Sequence, residues 1–413
     1  MLTLSHPTGN SNIRQVALAL LEAGLLEEFW TCLNWNPQTA AASLLPSGLS
    51  RQLERRAFAP ELRLVTRVHP WREIGRLLAP TLRMSRLTQH EIGPLSVDQI
   101  FHSLDRKVAA RLRHLPRLRG VYAGEDGALE TFRAAEKMGL RRFYDLPIAY
   151  WELGAKLLAE EAERWPQWEP TLVGTRDSAA KLARKTEELS LSEVIFVPSA
   201  FVRDSLPPAM MQSKTCFVAE FGSPPAPPLV ASPDERDALI NRPLRVLFAG
   251  SLTQRKGLAD VFEAMRLLGR SDVELIVMGA PVVHLEFYQR LLDFRYETPR
   301  PQSEVFRLMR ECDVLVLPSM VEGRALVQQE ALSCGLPLIV TPNAGGEDLI
   351  VEGHTGFLVP IRCPEIIAEK IDWFASNRNY LPEMRVAARN KALQYTWLDY
   401  RHKIATSIKQ VLA

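Results

Sequence analysis

Residues 245–258 read RVLFAGSLTQRKGL, and the order of residue types in this stretch decides the fold. Positions 245–250 form a short apolar run closed by glycine, the pattern of a strand covered on both faces. Positions 258–268 carry apolar residues at helical spacing. The loop between them holds Gly250, Ser251, Arg255, Lys256 and Gly257. A strand that passes through a loop into a helix presents free backbone N–H groups and the positive helix end, a favourable place for an anion. The loop has neither the Walker spacing nor G-x-G-x-x-G, so a dehydrogenase is disfavoured, and a solvated Arg-Lys pair is its plain alternative.

The same alternation continues in both directions. Strand patterns recur at 273–279, 313–319 and 336–341, with a tip at 356–360 and helical patterns at 303–311 and 325–334. Upstream, strand patterns at 2–4, 120–124, 141–146 and 194–199 alternate with helical ones, of which 13–23 is closed by Gly24. Regular alternation of this kind implies parallel sheets covered by helices. Prolines at 224, 225, 227 and 228 interrupt it, as a stiff linker would. Two doubly wound α/β domains facing a cleft are expected.

Composition agrees with this and narrows the class. The chain has 413 residues, 46% apolar and 24% charged, with a formal net charge of +2, which suits two globular domains and excludes a disordered chain. A nucleic-acid partner is not expected from so balanced a charge. The five cysteines are scattered, without Cys-x-x-Cys, and no stretch has the length of a membrane span. MLTLSHPTGN lacks the pattern of a secretory leader. A cytoplasmic protein is expected, one able to lie peripherally on the cytosolic membrane face.

A second informative stretch, 318–341, reads PSMVEGRALVQQEALSCGLPLIVT. Glu322 and Gly323 fall in a loop after a strand, and Glu330 falls up to two turns into the following helix. Carboxylates accept paired hydrogen bonds from vicinal hydroxyls, which sugars and ribose offer. Two solvated glutamates on a capped helix would satisfy the same spacing.

These stretches, with NAGGEDLIVEGHTGFLVP at 343–360 and YTWLDYRHKI at 395–404, resemble the family-4 retaining glycosyltransferases of the GT-B fold. In the first half only SHPTGN and VPSAFVRDSL (197–206) carry the likeness. The resemblance implies a Rossmann-like acceptor domain over 1–222, a linker over 223–242 and a Rossmann-like nucleotide-sugar domain over 243–394. A closing helix over 395–413 would return to the first domain. It further implies that Lys256 binds the donor diphosphate, with Gly250, Ser251 and Arg255 nearby. Glu322 and the backbone around Gly323 would contact the transferred sugar, Glu330 the ribose hydroxyls, and Gly9 would face the cleft from the acceptor side. The reaction would be transfer of a hexosyl group, with retention, from a UDP- or GDP-sugar to a glycan or lipid-linked acceptor of cell-surface polysaccharide or glycoconjugate synthesis. No metal and no cofactor would be needed, and the sequence has no His-x-His or Asp-x-Asp cluster.

This chain departs from the family at three places. Ser251 stands where many members carry Arg, and Arg255 is the candidate substitute. Arg324 and Ala325 replace the usual aromatic and Gly after Glu322-Gly323, and Arg324 would reach an anionic donor group or act only as a solvated helix-start cation. Where members carry His near the reacting centre, FYDLP places Asp145, with Glu125 and Asp126 in the preceding loop as further proton acceptors. The alternatives are a small soluble acceptor, or a nucleotide-sugar-binding protein without turnover. Positions 48–119 hold 15 Lys and Arg against 6 Asp and Glu. Within them, RKVAARLRHLPRLR (106–119) interleaves Arg with apolar residues, as a helix lying on anionic membrane does.

Overall fold

The structure is a computed structural model and describes residues 1–36, 53, 56–225 and 242–413. Most of the expected linker, 223–242, therefore lies outside the described residues. The first sheet contains β1 (Leu2–Ser5), β2 (Leu26–Thr31), β3 (Thr66–Val68), β4 (Gly120–Gly124), β5 (Arg141–Asp145), β6 (Val194–Val197) and β7 (Thr215–Val218). Its order is β3-β2-β1-β4-β5-β6-β7, parallel throughout. The second sheet contains β8 (Leu244–Ala249), β9 (Val273–Met278), β10 (Arg295–Glu297), β11 (Val314–Leu317), β12 (Leu338–Val340) and β13 (Gly356–Leu358). Its order is β10-β9-β8-β11-β12-β13, again parallel. In each sheet the order of the strands reverses beside the first strand, at β1/β4 and at β8/β11. In open α/β sheets ligands bind outside the strand ends at such reversals. The two Rossmann-like domains expected from the alternation are present.

The helices that place the site are α1 (Ser11–Glu22), α2 (Trp71–Leu78), α3 (Val97–Leu112), α4 (Leu129–Lys137), α5 (Trp151–Arg164), α6 (Ala179–Leu191), α7 (Leu258–Leu268), α8 (Leu326–Ser333) and α9 (Trp397–Leu412). Helix α9 opens with a capping box between Thr396 and Asp399. Its Tyr400, Ile404, Ile408 and Leu412 pack with Leu2, Leu4, Ile13 and Leu20, so the chain end returns to the first domain.

Strand β2 is absent from the sequence pattern because Glu27 and Glu28 interrupt its apolar run. Glu28 is nonetheless buried, and Arg111 of α3 (2.8 Å) and the Trp30 indole N–H (2.8 Å) hold it charged. Arg111 belongs to the basic stretch 106–119, and the expectation for that stretch is corrected. Val108, Leu112, Leu115 and Leu118 lie in the first domain's core with Val121 and Tyr144, so its apolar residues face inward and are not free to meet a membrane.

A boundary at 222 also proves too simple. Trp168, just after α5, is buried in the core of the second domain, with its ring centroid 5.3–5.6 Å from those of Phe262, Phe287 and Tyr288. Beside it, Arg164 pairs with Asp260 at 2.6 Å, and Glu161 accepts hydrogen bonds from Gln254 and Arg362. A segment from the first half of the chain thus completes the second domain. Among the described residues no helix is long and apolar enough to cross a membrane.

Candidate functional site

A cleft of about 920 Å³ opens between the two switch points, walled by the residues after β1 on one side and by those after β8 and β11 on the other. On the second-domain side the loop after β8 is shaped by Gln254, which has no exposed surface. Its side-chain amide donates to Glu161 (2.6 Å) and Asp260 (2.7 Å), and its oxygen accepts from the Ala259 N–H (2.8 Å). Thr253 donates to the Thr171 carbonyl (2.7 Å). Gly257 then turns in the left-handed region at φ +77°, where a Cβ would stand 2.2 Å from the Pro318 carbonyl oxygen. Only glycine lets this loop lie against the one that carries Glu322.

The two loops meet in an ion cluster. Lys256 Nζ lies 2.6 Å and Arg255 Nη1 2.8 Å from Glu322 Oε1, and Arg255 also donates to the Val321 carbonyl at 2.8 Å. Burial pushes the Glu322 carboxyl upward, but Lys256 and Arg255 outweigh it and hold the group below the ordinary carboxylate range. Glu322 is therefore an ionised acceptor and not a proton donor. Glu330 lines the same wall, with the Gln302 amide 2.8 Å from its Oε1, and burial raises its pKa. Gln302 was not anticipated; its only signal is a helix start that faces α8 in space. Gly250 lines the cleft as well, whereas Ser251 is exposed and is not among the lining residues.

Arg324 requires a correction. Its side chain lines the cleft but is fully buried, with the guanidinium on Asp348 (2.6 and 3.0 Å), on the Gly345 carbonyl (3.2 Å) and over the Tyr395 ring (5.0 Å). Its charge is paired within the protein and holds the loop at 345–348, so it is not a solvated cation. Gly323 is a point of close contact between the domains. A Cβ there would overlap the Pro147 carbonyl at 1.7 Å, and its own carbonyl accepts from Ser199 Oγ at 2.6 Å.

The first-domain wall comprises Thr8, Gly9, Asn12, Arg14 and, from further along, Arg56. Gly9 lines the cleft as expected, at φ +60°, but the room left by its missing side chain is taken by Phe58, 2.3 Å from an ideal Cβ. His6 Nδ1 accepts from the N–H groups of Gly9 (2.9 Å) and Thr8 (3.2 Å), which shapes the loop. Burial lowers the His6 pKa to about 4, so the ring is neutral near pH 7. Arg14 donates to the Gly9 (2.8 Å) and Ala57 (2.7 Å) carbonyls.

Asp145 does not line the cleft. It is buried one layer behind it, accepting from Asn12 Nδ2 (2.9 Å) and the Tyr122 hydroxyl (2.8 Å), and burial raises its pKa to about 6. Asn12, which the sequence reading missed, is the group this carboxyl aims at the cleft. Asp126 is placed elsewhere again, at φ +68° in the turn before α4. Its N–H bonds to Glu188 (2.8 Å), Lys185 lies 3.6 Å away, and the α4 N-terminus is capped by Glu188 and Asp105. Neither aspartate is a cleft base in this arrangement. Among the described residues, His90, Glu91 and Asp177 stand close enough together to share a metal ion, and none of them lines the cleft.

Residues 233–394 match the family model described as Glycosyl transferases group 1. The second domain is a group 1 glycosyltransferase domain. The amylovoran biosynthesis glycosyltransferase AmsK of Erwinia amylovora is 31% identical over 139 residues, 30% of this chain and 34% of that protein. The match thus spans about a third of that relative's length. Across the whole chain, sucrose-phosphate synthase from Thermosynechococcus elongatus superposes with a TM-score of 0.67 at 15% identity, covering 99% of this chain and 98% of that one. Anabaena HepE in complex with UDP superposes with a TM-score of 0.61 at 14% identity, covering 99% of both. At such identities the likeness establishes the GT-B fold. Lys256, Glu322 and Glu330 all lie within the group 1 domain, whereas Gly9, Asn12 and Arg56 lie outside it.

Proposed function

We propose that the protein is a retaining glycosyltransferase that moves a hexosyl group from a UDP- or GDP-sugar to a glycan or lipid-linked acceptor of cell-surface polysaccharide synthesis. The observation that carries this reading is the convergence of Lys256, Glu322 and Glu330 on one wall of a cleft whose opposite wall belongs to another domain. In this reading Lys256 and Arg255 hold the leaving diphosphate, so that no metal is required. Glu322, kept ionised by those cations, accepts from hydroxyls of the transferred sugar, and Glu330 accepts from the ribose. Asn12, Arg14 and Arg56 face the acceptor. HepE's complex with UDP and AmsK's part in amylovoran biosynthesis support the donor class and the polysaccharide setting.

The test is thermal protection by UDP- and GDP-sugars, followed by hydrolysis or transfer with whichever protects, and NMR of the product's anomeric configuration. One donor at about 100 times its Kd is expected to stabilise by about 2.7 kcal/mol. Protection by no nucleotide sugar would refute the placement of the donor site. Binding without hydrolysis or transfer would make the chain a binding protein.

A further inference from the structure

Nine of the eighteen exposed large hydrophobic side chains among the described residues fall between positions 64 and 97. Isolated exposed apolar residues are ordinary, but a cluster on one domain marks a contact surface. At its centre α2 is turned the wrong way round for a water-facing helix. Glu73 is buried, paired with Arg56 at 2.5 Å and Arg76 at 2.7 Å, while Trp71 is 77% exposed and Ile74 and Leu78 stand out beside it. Trp71, Ile74 and Leu78 are spaced three and seven residues apart, so they share one face of the helix. In the chain just after α2, Leu82 is 62% exposed and Met84 is exposed as well.

The charges along this segment are mostly of one sign. Between positions 61 and 89 there are six Arg and two acids, and Glu73, one of the two acids, points inward. Arg63, Arg83 and Arg86 are exposed and make no ion pair with a described carboxylate. A tryptophan and aliphatic face on a segment that also carries the exposed Arg63, Arg83 and Arg86 fits the boundary between anionic headgroups and acyl chains, where the apolar residues are immersed and the cations stay at the surface. A second copy of this chain would bring the same arginines together, and like charges oppose that pairing.

We infer that the face formed by α2 and the turn after it seats the first domain on an anionic lipid bilayer. The inner side of α2 is tied through Glu73 to Arg56, which lines the cleft, so the seat adjoins the acceptor side. Its purpose, bringing a lipid-linked acceptor to the cleft, rests on the function proposed above; the surface itself does not.

The test is co-sedimentation of the full chain with vesicles of phosphatidylglycerol and phosphatidylcholine, and with phosphatidylcholine alone. The wild type is expected to bind the anionic vesicles, less so as salt rises. The triple variant Trp71→Ala, Ile74→Ser, Leu78→Ser is expected to bind roughly tenfold more weakly or worse. The variant Arg83→Ser, Arg86→Ser should lose the preference for anionic lipid. Thermal protection by a nucleotide sugar, unchanged in both variants, verifies that they fold. Wild type that ignores anionic vesicles, or a triple variant that binds as well as wild type, would overturn the inference. So would a wild-type dimer that the triple variant converts to monomer. Vesicle binding by a protein that no nucleotide sugar protects would leave the surface standing and remove the proposed function instead.

Discussion

On the second-domain side of the cleft, Lys256 and Glu322 come from the loops after β8 and β11, and Glu330 from α8, the helix that follows β11. On the first-domain side the wall is assembled from distant parts: Asn12 is held by Asp145, 133 positions away, and Arg56 by Glu73 on α2. The first wall is written in short stretches whose residue types announce their chemistry. The second depends on which remote side chains the fold brings behind it. Yet the second-domain wall is not self-sufficient either, since Glu161 and Thr171 from the first half of the chain fix the shape of its cationic loop.

Lys256→Ala should break the second-domain wall most severely. Removing its charge leaves Glu322 with Arg255 alone, and a loss of about 10²–10³-fold in kcat is expected, read by product formation with the melting temperature little changed. Activity within threefold of wild type would remove Lys256 from the site, on the order-of-magnitude scale of such effects. Next in size is Gln254→Leu, which takes one hydrogen bond from each of the buried carboxylates of Glu161 and Asp260 and leaves them to Arg362 and Arg164. A stability loss of about 2–4 kcal/mol is expected in urea titration, because unmade bonds to buried charges are costly. An unchanged urea midpoint would show that the loop holds its shape without the first half of the chain.

Asp145→Asn sharpens the other side of the comparison. The wild-type carboxyl binds its proton more tightly when folded (about 6) than when unfolded (3.8), so its contribution to stability is fully present at low pH and falls as pH rises through about 6. The difference reaches about 3 kcal/mol, and the variant should lack it, so its urea midpoint should gain on wild type from about pH 4 to 7. Parallel pH profiles would contradict the buried, hydrogen-bonded placement of Asp145. The smallest effect is expected for Glu330→Ala: a loss of about 1–3 kcal/mol in nucleotide affinity, measured by calorimetry, with kcat at saturation nearly kept. Unchanged nucleotide affinity would separate Glu330 from the donor.

The alternation of strands and helices, the two domains, and the cluster of Lys256, Glu322 and Glu330 were all legible in the residues. Apolar runs and glycine-bounded loops are local signals, and neighbouring strand ends of one sheet must converge. Strand β2 was not legible, because Glu28 breaks its pattern and is rescued only by Arg111 from another element. The basic stretch 106–119 misled for the opposite reason. Its spacing fits an interfacial helix and a core helix equally well, and only packing assigns Leu112, Leu115 and Leu118 to the core.

The sequence by itself therefore determined the architecture and the chemistry available on the second-domain wall of the cleft, since both depend on the order of residues along short segments. Tertiary structure alone decided the direction of individual side chains. It gave Arg324 to Asp348, placed Asp145 behind Asn12, inserted Trp168 into the second core and turned Trp71 outward. The physical reason is common to the first three. A charge or a large apolar group settles where its solvation and its partners are best, and those partners lie far away in the chain.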